Sequence, residues 1–170
     1  MICNEASNIP ELLAIFISFL AIVMAYFAVR YQVLSLCQSQ ISDKAKDCNK
    51  NIDNATQRII ETPQNISHVV STIITTEQLI DRIIGKRVYL FITKASLIEQ
   101  LYLQLHTSII EYIKKNTITE TFKEGQVKYH IGLQLDYCKR LFEKAIQKYG
   151  NATPKEINDK IEEYKRKTKI

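Results

Sequence analysis

Charge is absent from residues 12–29, and this absence is the most informative feature of the sequence. A helix of eighteen uncharged residues is about 27 Å long at roughly 1.5 Å per residue. That length is close to the ~30 Å hydrocarbon core of a bilayer. The only charged residue between Glu11 and Asp43 is Arg30, whose long side chain can reach the headgroups. The sequence therefore predicts a transmembrane helix over residues 12–36.

Two other interpretations of this segment are open at the level of sequence. A cleaved signal peptide normally has a basic N-terminal region and a shorter apolar core, whereas residues 1–10 hold no Lys or Arg and include Glu5. A buried helix of a soluble protein is also apolar all round, but the rest of this chain is small for enclosing one. We therefore expect a single-pass anchor.

Basic residues are also absent before the apolar segment. Those nearest to it all follow it: Arg30, Lys44, Lys46, Lys50 and Arg58. Because Lys and Arg concentrate on the cytoplasmic side, we expect residues 1–11 outside the membrane and the C-terminal domain in the cytosol. Arg30, Tyr26 and Tyr31 lie near the cytosolic end, so we predict that they are membrane-interface residues.

Glycine and proline are scarce, with four and three residues respectively, which favours few, long helices over many turns. We predict an all-α protein in which a single N-terminal transmembrane helix is followed by a bundle of three to five helices. The predicted organisation is a short extracytoplasmic N-terminus (1–11), a transmembrane helix (12–36), a juxtamembrane helix (37–62), a helical bundle core (63–150) and a short, charged C-terminal helix (151–170).

The predicted juxtamembrane helix carries a narrow apolar stripe with alternating steps of four and three residues. Its members are Ile41, Ala45, Cys48, Ile52, Ala55 and Ile59. This spacing fits a coiled-coil stalk or one side of a bundle, and we favour the bundle. Pro63 ends this helix and begins the next, with Thr62 as its cap.

The longest periodic pattern begins after Pro63 and recurs every three or four residues, with Glu77 as its one interruption. Its members are Ile66, Val70, Ile73, Ile80, Ile84, Val88, Phe91, Ala95, Ile98, Tyr102, Leu105, Ile109 and Tyr112. One helix over Pro63–Lys115 would be roughly 80 Å long. A long central helix that breaks or kinks at Gly85 into two packed helices is the prediction, and an unbroken rod is the alternative.

A further helix is predicted to end at the C-terminal cap Gly150. One face of it is apolar, formed by Phe122, Val127, Ile131, Leu135, Cys138, Phe142, Ala145 and Tyr149. Thr153 and Pro154 then mark the start of a last, mostly charged helix, Pro154–Lys167.

Motifs for catalysis or for metal binding are missing. The sequence has no HExxH, Walker A, GxGxxG or GxSxG pattern. The three histidines are far apart, and the four cysteines form no pair with ligand spacing. We therefore expect no enzyme activity, cofactor, metal or small-molecule substrate, and we expect the cysteines to pack as small apolar groups.

Two weaker patterns concern modification and electrostatics. The glycosylation sequons at Asn54, Asn65 and Asn151 are chance matches if the domain is cytosolic. The C-terminal bases Lys165, Arg166, Lys167 and Lys169 are candidate contacts for lipid headgroups or a partner, with a solvated helix end as the alternative. Nucleic acid is not an expected ligand.

These observations favour a non-catalytic, single-pass subunit or adaptor of a membrane-associated complex. The expected partners are the lipid bilayer and either another protein or further copies of the chain. One alternative is a membrane-acting effector or regulator that oligomerises through its anchor. Another, with the topology reversed, is an extracytoplasmic helical sensor or stalk.

Overall fold

A computed structural model describes residues 9–84, 93–115 and 126–150, together with Asp159, Lys160, Glu162 and Arg166. Within these residues the chain forms six helices and two short strands. The elements are α1 (Ile9–Asn49), β1 (Ile52–Asp53), β2 (Arg58–Ile59), α2 (Pro63–Ile84), α3 (Lys94–Gln104), α4 (Thr107–Lys115), α5 (Gln126–Leu141) and α6 (Glu143–Tyr149). The predicted fold class, a long apolar N-terminal helix followed by a helical bundle, is confirmed.

The chain divides into two compact units, Met1–Leu36 and Cys37–Ile170. In the first unit α1 is long and apolar enough to cross a membrane, and none of its most apolar stretch is buried. In the second unit the remainder of α1 supplies core residues: Cys37, Ile41, Ala45 and Cys48 are all at most 1% exposed. The spacing of this stripe fits either a coiled-coil stalk or one side of a bundle, and its burial favours the bundle.

The core of the second unit is centred on α2. This helix packs against α3 and α5, while α4 contacts α5 and β2, and α3 contacts α6. The buried positions of α2 recur every three or four residues, as the sequence predicts, and include Val70, Ile73 and Ile80. Burial departs from the predicted stripe at Ala95, which is exposed, and at Tyr112, which is half-buried.

The juxtamembrane helix predicted over residues 37–62 ends at Asn49, and the prediction is wrong beyond that point. Residues 52–59 instead form an antiparallel hairpin in which Ile52 pairs with Ile59. The Asp53 carboxylate accepts hydrogen bonds from the Ala55 N–H at 3.0 Å and the Thr56 hydroxyl at 2.8 Å, which closes a tight turn. Ile59 is nevertheless buried. The apolar spacing therefore predicts correctly that Ile59 belongs to the core and wrongly that it is helical.

The start of α2 is confirmed. Pro63 is its first residue, and the Thr62 hydroxyl accepts a hydrogen bond from the Asn65 N–H at 3.3 Å. Proline is well suited to this position because its missing N–H would have no partner inside the helix.

Residues 63–115 contain three helices in the described ranges, so the alternative of an unbroken rod is wrong. Gly85, where the break or kink is predicted, lies outside the described residues, as do Val88 and Phe91. A break occurs at Leu105, whose backbone is extended with φ −74° and ψ 143°. The sequence gives no signal for this break, because the apolar spacing continues through it to Ile109.

The apolar face predicted near the C-terminus is confirmed where it is described. Its six members from Ile131 to Tyr149 are all buried: Ile131, Leu135, Cys138, Phe142, Ala145 and Tyr149. The helix is interrupted at Phe142, between α5 and α6. Gly150 caps α6 as predicted, and its N–H donates to the Ile146 carbonyl at 2.7 Å. The bounds of the predicted helix Pro154–Lys167, and the positions Phe122 and Thr153, lie outside the described residues.

Candidate functional site

The first candidate site is the apolar surface of α1 over residues 12–29. Its large side chains are 48–68% exposed: Leu12, Leu13, Ile15, Phe16, Ile17, Phe19, Leu20, Ile22, Met24, Tyr26, Phe27 and Val29. An apolar surface this continuous is unfavourable in water and typical of contact with a membrane or another protein. Its exposure distinguishes α1 from the buried core helix of a soluble protein, whereas a signal sequence shares its length and composition.

The polar groups of this surface are satisfied within the helix. Ser18 is the one polar side chain between Leu12 and Ala25, and its hydroxyl donates to the Ala14 carbonyl at 2.8 Å. Because the backbone of a helix is also internally hydrogen-bonded, residues 12–25 can enter a hydrocarbon medium without leaving a polar group unpaired.

Two of the three predicted interface residues, Tyr26 and Arg30, lie one helical turn apart on α1. The Arg30 guanidinium carbon lies 4.7 Å from the centroid of the Tyr26 ring, a cation–π distance. Tyr31 is 39% exposed. Tyr26 and Arg30 are therefore brought together as one group with an apolar body and a charged end, which suits the headgroup region.

Of the predicted C-terminal basic residues, only Arg166 is described. It is helical and exposed, and its Nε donates to the Glu162 carbonyl at 3.4 Å. Lys165, Lys167 and Lys169 lie outside the described residues. Their assignment as lipid or partner contacts stays a prediction.

Sequence reasoning missed a charged cluster that is centred on one buried carboxylate and joins three helices. The Glu77 side chain on α2 is 7% exposed, and its carboxylate accepts hydrogen bonds from Lys94 Nζ and, at 3.0 Å, from the Tyr137 hydroxyl. Lys94 Nζ also lies 2.7 Å from Asp81 Oδ2. The signal for this cluster was the interruption of the apolar pattern at Glu77, but nothing in the sequence identifies its partners.

The pKa values of the cluster follow from these contacts. Burial alone would lower the pKa of Lys94, but its hydrogen bonds to Asp81 and Glu77 outweigh burial, and the pKa is raised. Burial and the hydrogen bond to Glu77 raise the pKa of Tyr137. At neutral pH Lys94 is therefore cationic and Tyr137 is protonated, so both can donate hydrogen bonds to Glu77 and join the three helices.

A second polar cluster joins α3 to α6. The Glu99 carboxylate accepts hydrogen bonds from the Tyr149 hydroxyl and from Lys148 Nζ, the latter at 2.8 Å. Burial raises the pKa of Glu99, but the hydrogen bonds from Lys148 and Tyr149 prevail and lower it. Tyr149 also stacks against Tyr102, with ring centroids 6.4 Å apart. These contacts hold α3 and α6 together.

Asn49, at the end of α1, supports the break between α3 and α4. Its side-chain amide donates to the Gln104 carbonyl at 3.0 Å and accepts from the His106 N–H at 2.8 Å. Both backbone groups belong to the break, where the helical ladder leaves them without partners. Sequence reasoning could not find this role, because the partners are more than fifty residues apart.

The described cysteines are packing residues. Cys37, Cys48 and Cys138 are buried free thiols, and burial raises the pKa of Cys138 to about 12. That thiol is protonated at neutral pH and is a poor nucleophile. Among the described residues, no group of three or more His, Cys, Asp or Glu side chains is placed to hold a metal ion.

Comparison of the chain with protein-family models, with curated proteins and with solved structures finds no match. The described residues carry two kinds of feature: an exposed apolar stretch in α1, and two carboxylates of the second unit that are paired with lysine and tyrosine side chains.

Proposed function

We propose that the chain is a non-catalytic, single-pass membrane-anchored helical subunit or adaptor of a membrane-associated complex. The observation that carries this proposal is the outward exposure of the apolar side chains of residues 12–29. Eleven of these residues are Leu, Ile, Phe or Val. At about 0.3–0.6 kcal/mol each, they favour membrane insertion by roughly 3–7 kcal/mol.

The two polar clusters that join the helices support a binding role over a chemical one. Glu77 is occupied by Lys94 and Tyr137, and Glu99 by Lys148 and Tyr149. A general acid or base needs a proton-transfer partner within reach in the substrate complex, whereas these carboxylates lie between helices and hold them in register.

The broad apolar stripe of residues 66–113 does not by itself indicate an external partner. The stripe on α2 is covered inside the bundle, because α2 packs against both α3 and α5. Support for a protein contact comes instead from α5, where Leu133 and Tyr137 are 41% and 40% exposed and lie one turn apart. Aromatic residues are enriched at protein interfaces.

The proposed role is tested by purifying the full chain in mild detergent and measuring the mass of the eluted assembly. Other proteins in fixed ratio to the chain are expected, and Leu133→Lys is expected to deplete them while the matched exposed change Gln147→Lys does not. A pure homo-oligomer would favour the membrane-acting effector instead. A bare monomer would contradict both roles.

The proposed orientation places the bundle in the cytosol. Asn54 is exposed at the turn of the β1–β2 hairpin and begins the sequon Asn54-Ala55-Thr56, so it reports on topology. The full chain translated into microsomes is expected to remain unglycosylated. A mass increase that Asn54→Gln abolishes would show the reversed topology of an extracytoplasmic sensor or stalk.

A further inference from the structure

A groove of about 410 Å³ lies between α3 and the adjoining ends of α5 and α6. Ala95 and Ile98 line it on the α3 side, and Leu141 and Ala145 line it on the other. The two alanines leave the space that larger side chains would fill. Its volume falls in the range of about 300–1,000 Å³ that is typical of small-molecule sites.

The charges at the groove are not balanced. Lys94 pairs with Glu77 and Asp81, and Lys148 pairs with Glu99. The carboxylate of Glu99 is thus already neutralised. Lys144 also lines the groove, is exposed and pairs with no acidic side chain of the described residues. Lys160 also lies close enough to Glu99 to help lower the pKa of that carboxyl, so three lysines and one glutamate line the groove and positive charge is in excess beside its apolar floor.

We infer that this groove binds a single-chain anionic amphiphile of the fatty-acid type, with its chain on Ala95, Ile98 and Leu141 and its carboxylate paired with Lys144. The α3 segment that lines the groove, residues 94–99, is roughly 9 Å long, which is short for a stable protein interface. The inference goes beyond the proposed function and uses it in one respect, because an anchored domain is near the bilayer into which amphiphiles partition.

The test is photolabelling of the full chain in phosphatidylcholine nanodiscs. The probes are a fatty acid with a diazirine in its chain and the alcohol of identical chain length, and labelled peptides are mapped by mass spectrometry. The fatty acid is expected to label peptides containing residues 94–99 and 141–148, and the alcohol to label them severalfold less. Equal labelling by both probes, or labels confined to residues 9–36, would overturn the inference.

Two variants and one control identify the binding groups. Lys144→Glu is expected to lower labelling of the groove peptides about tenfold, because it places a carboxylate beside the probe's own. Ala95→Phe fills the floor from an exposed position and is expected to abolish that labelling without changing the thermal midpoint. Lys44→Glu makes the same charge change at an exposed lysine of α1 and is expected to have no effect. Labelling that survives Lys144→Glu and Ala95→Phe would contradict the assigned site. If Lys144→Glu or Ala95→Phe loses the labelling while its chain stays in the nanodisc, the groove is affected and the membrane anchor is not.

Discussion

Removing the ammonium group of Lys94 is expected to destabilise the bundle more than is usual for a partly exposed lysine. The Lys94 side chain is 42% exposed, whereas the Glu77 side chain with which it pairs is 7% exposed. In Lys94→Met the Glu77 carboxylate keeps only the Tyr137 hydroxyl, at 3.0 Å. Breaking a buried pair in this way typically costs about 3–5 kcal/mol. Because water reaches one end of this pair, we expect about 2–3 kcal/mol.

Removing both charges should cost less than removing one. In the double variant Glu77→Leu, Lys94→Met no buried charge is left, and replacing a buried ion pair by apolar groups is often close to neutral. The Tyr137 hydroxyl then loses its partner, but Tyr137 is 40% exposed and water can replace it. We expect the double variant to be more stable than Lys94→Met by about 2 kcal/mol.

The assay is urea unfolding of the full chain in mild detergent, followed by circular dichroism. Lys46→Met is the control, because Lys46 and its partner Asp43 are 72% and 69% exposed and such a pair contributes at most about 1 kcal/mol. If Lys94→Met is no less stable than Lys46→Met, or if the double variant is no more stable than Lys94→Met, then Lys94 does not compensate a buried charge on Glu77.

Three further predictions concern the core and the helix break. Burial raises the pKa of Cys138 to about 12 from an ordinary 9.0. The stability that the protonated thiol contributes to the folded state is therefore complete below about pH 9 and is lost as the pH rises toward about 12. Thermal midpoints should therefore fall on going from about pH 8 to about pH 11, since each proton released on unfolding costs up to ~1.4 kcal/mol per pH unit; a constant midpoint would contradict this. Asn49→Ala leaves the Gln104 carbonyl and the His106 N–H unpaired and should cost about 1–3 kcal/mol in urea unfolding, and a loss below about 0.5 kcal/mol would mean that water replaces the amide. Ile73→Asp buries a carboxylate at a position that is 0% exposed and should abolish the cooperative unfolding transition, whereas an unchanged transition would show that Ile73 is not core.

The helical core could be predicted because its signal is local. Apolar spacing places Ile66, Ile73 and Ile80 on one buried face of α2, and Thr62 with Pro63 marks where that helix begins. These signals depend on residues three or four positions apart, and such residues are neighbours on any helix. The apolar run of residues 12–29 is equally local, since bilayer thickness alone sets its length.

The hairpin and the helix break at Leu105 could not be predicted from spacing. The apolar steps continue through Ile52 and Ile59, while the turn between them is set by the Asp53 carboxylate and a positive φ of 54° at Gln57. The break at Leu105 is supported by Asn49, which reaches it from another helix. A tertiary contact of this kind can override a periodic pattern without leaving a local trace in sequence.

The buried charges illustrate the same limit at the candidate site. Glu77 is visible in the sequence as a gap in an apolar face, but its partners Lys94 and Tyr137 lie 17 and 60 residues away. Spacing cannot identify such partners. The group formed by Tyr26 and Arg30 is predictable because its members are one turn apart on the same helix.

The central claim, that residues 12–29 remain in the chain as a membrane anchor, is tested most directly by alkaline washing of membranes combined with the intact mass of the chain. We expect a chain that retains residues 12–29 in the washed pellet. Two arginines at the centre of a span cost about 5–7 kcal/mol, which offsets the insertion energy, so the variant Ala21→Arg, Ala25→Arg should leave the pellet. A shortened chain without residues 12–29 in the supernatant would show a cleaved signal sequence and contradict the anchor.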